Sequence, residues 1–151
     1  MIDLRPATEH DLTEMVEIAI NANAESRFVG EVDIEAAREY LRDFMIYDDR
    51  QIVVADNGGE IVGGVILALS KEIWAQPHCS VIKFWVLPAG RRTNASRLLL
   101  DYIFEVANDH DCLAVYSTAT AELDDREQRL FVNLLKRSGF RDCGPTMKAS
   151  L

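Results

Sequence analysis

Val81-Ile82-Lys83-Phe84-Trp85-Val86-Leu87-Pro88-Ala89-Gly90-Arg91-Arg92-Thr93-Asn94-Ala95-Ser96-Arg97-Leu98-Leu99-Leu100 reads as an apolar strand, a tight basic turn and the start of a helix. Val81, Ile82, Phe84, Trp85 and Val86 are β-branched or aromatic, the residue types a half-buried pleated surface takes best. Pro88 cannot donate to a ladder, so the strand is expected to stop there. From Ala95 onward, Ala95, Leu98, Leu99, Tyr102, Ile103 and Val106 share one helical face, and Arg97, Asp101 and Glu105 share the other. Thr93 or Asn94 can cap that helix by accepting an orphan N–H.

A junction of this kind suits an anion. A helix start offers several free N–H groups and roughly half a positive charge. Arg91 and Arg92 add charge-assisted contacts that can be bidentate. A solvated basic loop would have the same local sequence, so the turn's chemistry alone leaves both readings open.

The spacing Val86-x-Pro88-x-x-Arg91-Arg92-x-x-Ala95-Ser96-x-x-Leu99-Leu100 resembles the acyl-CoA signature of the GNAT-type N-acetyltransferase superfamily. Arg92, Asn94 and Ser96 stand where that family usually has glycines. This glycine-poor form, with its Trp85-Val86-x-Pro88 strand, is similar to some phage-encoded members. The resemblance implies that Trp85, Val86, Arg91, Arg92, Thr93, Asn94, Ala95 and Ser96 border the donor. The turn would hold the pyrophosphate of acetyl-CoA, and a backbone N–H near Val86 would point at the thioester oxygen.

Working outward, Gln51-Ile52-Val53-Val54-Ala55-Asp56, Asn57-Gly58-Gly59 and residues 60–69 predict a hairpin. Gly63-Gly64 within the return strand predicts a bulge or a close backbone approach. Upstream, Ile2-Asp3-Leu4-Arg5 reads as a strand. Thr8 with Asp11 predicts a capping box, ahead of a helix with Leu12, Met15, Val16, Ala19 and Ile20 inward. Asp33 is expected to cap a second helix with Ile34, Ala37, Leu41, Phe44 and Met45 inward. The polar connection between the two carries Asn23, Glu25 and Phe28. In the resembled family it borders the acceptor site, which makes these three the substrate candidates.

Downstream, Leu113-Ala114-Val115-Tyr116-Ser117 reads as a strand. Asp124 or Asp125 would then cap a helix with Leu130, Phe131, Leu134 and Leu135 inward, ending at Gly139. Phe140-Arg141-Asp142-Cys143 and residues 146–151 are expected to close the sheet as two strands. The element order resembles the GNAT-type acyl-CoA N-acyltransferase fold over the whole chain. The expectation is one α+β domain, residues 1–151, with a mostly antiparallel sheet flanked by about four helices.

Composition narrows the function. The 151 residues suffice for one domain with a real core. A net charge of −9 argues against a nucleic-acid-coating role, which needs a basic footprint. No apolar run reaches the roughly 18 residues a membrane span needs, and no secretory signal pattern is visible. No membrane association and a cytoplasmic location are therefore expected. Cys79, Cys112 and Cys143 are few and widely spaced, and predict neither a disulfide framework nor a metal site.

Acyl transfer to an amine requires a deprotonated amine, a polarised carbonyl and a protonated or stabilised leaving thiolate. In the resembled family a tyrosine late in the last helix often protonates the thiolate. Leu135 stands at that position here. Tyr116 and Ser117 on the neighbouring strand are the substitutes, and His78 is a candidate base because an ordinary imidazole titrates near neutrality. The expected activity is direct transfer of an acetyl group from acetyl-CoA to a primary amine on a small molecule or peptide, by a chain that can pair into a homodimer. The alternatives are a catalytically degenerate GNAT-fold protein that binds CoA or a protein partner, and a transferase using another phosphate-bearing donor.

Overall fold

Two strands, one centred on the apolar run of residues 52–55 and one apolar from Ile61 to Leu69, set the architecture of the computed structural model, which describes residues 1–25, 30–71, 76–118 and 125–144. β2 (Arg50–Asp56) and β3 (Ile61–Ser70) form the predicted hairpin. Gly58 and Gly59 turn the chain at φ +69° and +98°, a region where a side chain would be strained, and the Asp56 carboxylate accepts from Gly59 N–H. β1 (Asp3–Pro6) pairs with β2, and β4 (His78–Val86) with β3, all antiparallel. β5 (Val115–Ser117) joins β4 in parallel, giving the order β1-β2-β3-β4-β5.

Both faces of the sheet are covered, which is why β2 and β3 lack a polar alternation. Ile52, Val54, Ile61 and Ile66 pack under α1 (Leu12–Glu25) and α2 (Ile34–Ile46), against Leu12, Met15, Val16, Leu41 and Phe44. Val53, Ala55, Val62, Val65 and Leu67 face the other way. They meet Ala95, Leu99, Leu100 and Ile103 of α3 (Ala95–Asp109) and Leu135 of α4 (Asp125–Arg137). Each fully buried Leu or Ile contributes about 1.5–3 kcal/mol.

The helix starts follow the sequence. Asp11 accepts from the N–H and hydroxyl of Thr8 and opens a 3₁₀ turn ahead of α1. Asp33 accepts from Ala36 N–H at the start of α2. The inward faces need correction: Ile20, Ile34 and Leu130 are exposed, as is Ala19, while Ile18 packs inward. A 3.6-residue period admits either neighbour at these positions, and the position of the sheet decides between them.

The C-terminal region differs from expectation. Residues 140–144 form no strand; Phe140 instead packs on Phe104, 5.6 Å between ring centres. Residues 145–151 lie outside the described residues, as does the capping candidate Asp124. β5 is shorter than the predicted strand over 113–117, because its pairing with β4 begins only at Val115 opposite Cys79.

β4 holds one residue more than its partner. Ile66 opposes Lys83, yet the next residue, Leu67, opposes Val81, so Ile82 is an inserted residue in the ladder. The two cores record the consequence. Cys79 and Val81 belong to the α3 side before the bulge, and Phe84 and Val86 belong to it after, while Ile82 and Trp85 pack on the α1–α2 side. A second bulge places Val62 between the residues opposing Ala55 and Asp56, next to the predicted Gly63-Gly64.

Candidate functional site

The pairing of β4 with β5 stops at Val81 opposite Ser117, so the C-terminal half of β4 has a neighbour on one side only. Which of its groups face the gap follows from the ladder. Leu87 N–H donates to Val62 O at 2.9 Å. Opposed pairs in an antiparallel ladder alternate between bonded and non-bonded, so Trp85 with Gly64 and Lys83 with Ile66 are bonded pairs. Phe84 and Val86 therefore turn their N–H and C=O groups to the open edge.

The strand ends in a tightly wound turn. Gly90 N–H donates to Leu87 O, Arg91 N–H to Leu87 O and Pro88 O, and Thr93 N–H to Gly90 O. Gly90 is required here: a Cβ would lie 2.5 Å from Val62 O. Between Thr93 and Asn94 the capping role falls to Thr93, whose Oγ1 accepts from Ala95 N–H at 3.1 Å; Asn94 occupies the N-cap position without a side-chain bond. This leaves a regular pattern. The N–H groups of Arg91, Thr93 and Ala95 have protein acceptors, and among the described residues those of Arg92, Asn94, Ser96 and Arg97 have none. No residue from 91 to 97 has a positive φ, so the backbone accommodates side chains at 92, 94 and 96, where the resembled family usually has glycine.

The two arginines differ. Arg91 reaches Val86 O with Nε at 3.4 Å and Glu127 of α4 with Nη2 at 3.1 Å. Arg92 is exposed and, among the described residues, has no side-chain partner. One turn beyond Glu127, Phe131 packs on Phe84 at 5.5 Å between ring centres. α4 thus touches β4 beside the open edge at an ionic point and an apolar one.

Trp85 is not at this edge. Its ring lies on the α1–α2 side against Gly64, where a Cβ would come within 2.3 Å of the indole. Its main chain pairs with β3, and Phe84 is the residue that shares the open edge with Val86. Ala95 is fully buried in the α3 core and its N–H is capped.

His78 and Tyr116 stack edge to face at 5.4 Å and line a groove of about 370 Å³ with Gln76, Ser80, Leu113 and Ala114. Eight residues of strand separate His78 from Val86, roughly 25 Å at 3.3 Å per residue. Neither side chain reaches the turn. Ser117 stands at the fork, opposite Val81. Leu135 is 7 % exposed and belongs to the core, which explains an apolar residue there. Asn23 and Glu25 lie in the last turn of α1 rather than in the connection expected to carry them, because the helix runs on to Glu25, and Asn23 donates to Gly30 O at 2.8 Å. Phe28 and the side chain of Glu25 lie outside the described residues.

The model of the acetyltransferase (GNAT) family matches residues 12–136. The chain belongs to the GNAT acetyltransferase family. Solved structures similar to this GNAT chain include a transcriptional regulator from Bacillus halodurans, 19 % identical over all of both chains with a TM-score of 0.79. AAC(6')-Iy in complex with the bisubstrate analog CoA-S-monomethyl-acetylneamine is 14 % identical over 100 % of this chain and 98 % of that one, with a TM-score of 0.77. An aminoglycoside acetyltransferase from an uncultured soil metagenomic sample is 18 % identical over 100 % and 99 %, with a TM-score of 0.76. At these identities the likeness shows the GNAT fold. None of the curated proteins compared with this GNAT chain matches it.

Proposed function

We propose that the chain, as one domain over residues 1–151, is an acetyl-CoA-dependent N-acetyltransferase acting on a primary amine. The carrying observation is the row of N–H groups at Arg92, Asn94, Ser96 and Arg97 that have no acceptor among the described residues, beside the open edge of β4. Alternate amides at a helix start fit the oxygens of a diphosphate. Arg92, and Arg91 once released from Glu127, supply guanidinium contacts. Phe84 and Val86 present main-chain groups to a pantetheine amide and polarise the thioester carbonyl.

In the transfer itself the amine nitrogen attacks the carbonyl carbon, the C–S bond breaks, and the thiolate takes up a proton while the new amide nitrogen loses one. Ser117, at the fork, is the proposed relay to the thiolate: its hydroxyl passes on a proton as it takes one from solvent water, so the serine ends neutral. The groove of His78 and Tyr116, on the far side of the fork, is the proposed acceptor entrance. The relative bound to an acetylneamine conjugate supports a small-molecule amine as the acceptor class. A cytoplasmic location gives such an enzyme its donor.

Calorimetric titration with coenzyme A tests this reading. Binding is expected, and no heat at millimolar ligand removes the proposal. Leu135 in the core favours a second reading, in which the fold binds CoA without catalysis. CoA binding with no thioester loss against a broad amine panel would select it.

A further inference from the structure

The ion pair between Arg91 and Glu127 spans the side of the proposed cradle, and both side chains remain in contact with solvent, at 58 % and 36 % exposure. Two features make it more than a surface pair. Arg91 is anchored at its Nε by Val86 O, an edge group of β4, so Glu127 is held close to the strand end from which the diphosphate cradle starts. Glu127 and Phe131 are one turn apart on the same side of α4, and Phe131 rests on Phe84, the other edge residue. The carboxylate is therefore positioned by a packed helix.

We propose that Glu127 is an internal competitor of the donor's diphosphate, occupying Arg91 until the donor displaces it. This rests on the donor site proposed above. Without donor, the carboxylate satisfies the guanidinium. With donor, the phosphate oxygens take over the guanidinium N–H groups, and Glu127 is left beside a doubly negative group. That repulsion loosens the α4 contact at its ionic point while the Phe84–Phe131 contact holds. Glu127 thus lowers donor affinity and ties occupancy of the cradle to the first turn of α4.

The test is coenzyme A affinity by calorimetry in the full chain and in Glu127→Gln, with thermal unfolding as a check on folding. Exposed ion pairs are worth a fraction of a kcal/mol to about one, so Glu127→Gln is expected to tighten coenzyme A by about twofold to fivefold at low salt. The gain should shrink at high salt as screening weakens both the pair and the repulsion. In an Arg91→Ala background the same substitution should yield a smaller gain, because no cation remains to be released. Unchanged or weaker binding in Glu127→Gln, with folding intact, would overturn the competitor role and make Glu127 a support for Arg91. Absence of coenzyme A binding in both proteins would instead remove the donor site itself.

Discussion

The indole of Trp85 fills the space above Gly64, so that a Cβ on the glycine would lie 2.3 Å from the ring and 2.9 Å from Val53 O. The aromatic residue and the missing side chain form one packing unit across β3 and β4. Gly64→Ala is expected to destabilise the protein by about 1–3 kcal/mol, as overpacked core sites do. Trp85→Leu should recover part of that loss in the double variant, since the two effects share one space. Urea unfolding of the four proteins measures it; additive losses would refute the shared space.

Among the described residues Arg92 has no side-chain partner to give up, and Arg91 has two. Arg92→Ala should therefore weaken coenzyme A by about threefold to tenfold, and more than Arg91→Ala does, because only the latter's contact is offset by loss of Glu127. Titrations at two salt concentrations check the order, and both deficits should shrink as salt rises.

His78 and Tyr116 lie at the end of β4 remote from the turn. His78→Ala and Tyr116→Phe should leave coenzyme A affinity within about twofold. Ser117→Ala should keep that affinity as well and lower turnover by about tenfold or more, as loss of a proton relay does. A full rate in Ser117→Ala, once an acceptor amine is in hand, would show that water protonates the thiolate without the serine.

Acid sensitivity should centre on Asp11, which is 7 % exposed and takes two guanidinium bonds from Arg5, 2.8 and 2.9 Å. Those bonds, with the Thr8 donors, hold its carboxyl down at about 2 from an ordinary 3.8. A depressed carboxylate stabilises the fold above its unfolded value and loses that contribution as pH falls through the folded one. About 1–2 kcal/mol should therefore disappear between roughly pH 4 and pH 2. Asp11→Asn should be less stable at pH 7 and show a flatter acid limb in chemical unfolding.

Leu135→Ala should cost about 2–4 kcal/mol, the range for emptying a buried leucine site. If the loss is small, the site is not core and the absence of a tyrosine there needs another explanation.

The elements were legible because each had its own punctuation. Pro88 ended a strand, Asp33 and Thr8 with Asp11 opened helices, and Gly58-Gly59 turned a hairpin. The turn residues 91–96 were legible too, since strand, turn and helix signals adjoin there. What the sequence hid was phase. Val81, Ile82, Phe84, Trp85 and Val86 are all apolar, so nothing in their pattern reveals that Ile82 is surplus or that Phe84, rather than Trp85, faces the open edge. Nor does the sequence reveal a pairing 36 positions apart such as Arg91 with Glu127, because a surface carboxylate has no local signature.

The surplus residue in β4 has a consequence for how this chain can change length. Because Ile82 is the spare residue, deleting it alone would make Lys83 opposite Ile66 and Val81 opposite Leu67 consecutive pairs of a regular ladder, with the indole's seat and the outward amides kept. Deleting Lys83 as well would leave β4 one residue short opposite Ile66 and shift the strain onto β3. A one-residue deletion at the bulge should therefore be tolerated where a two-residue deletion is not.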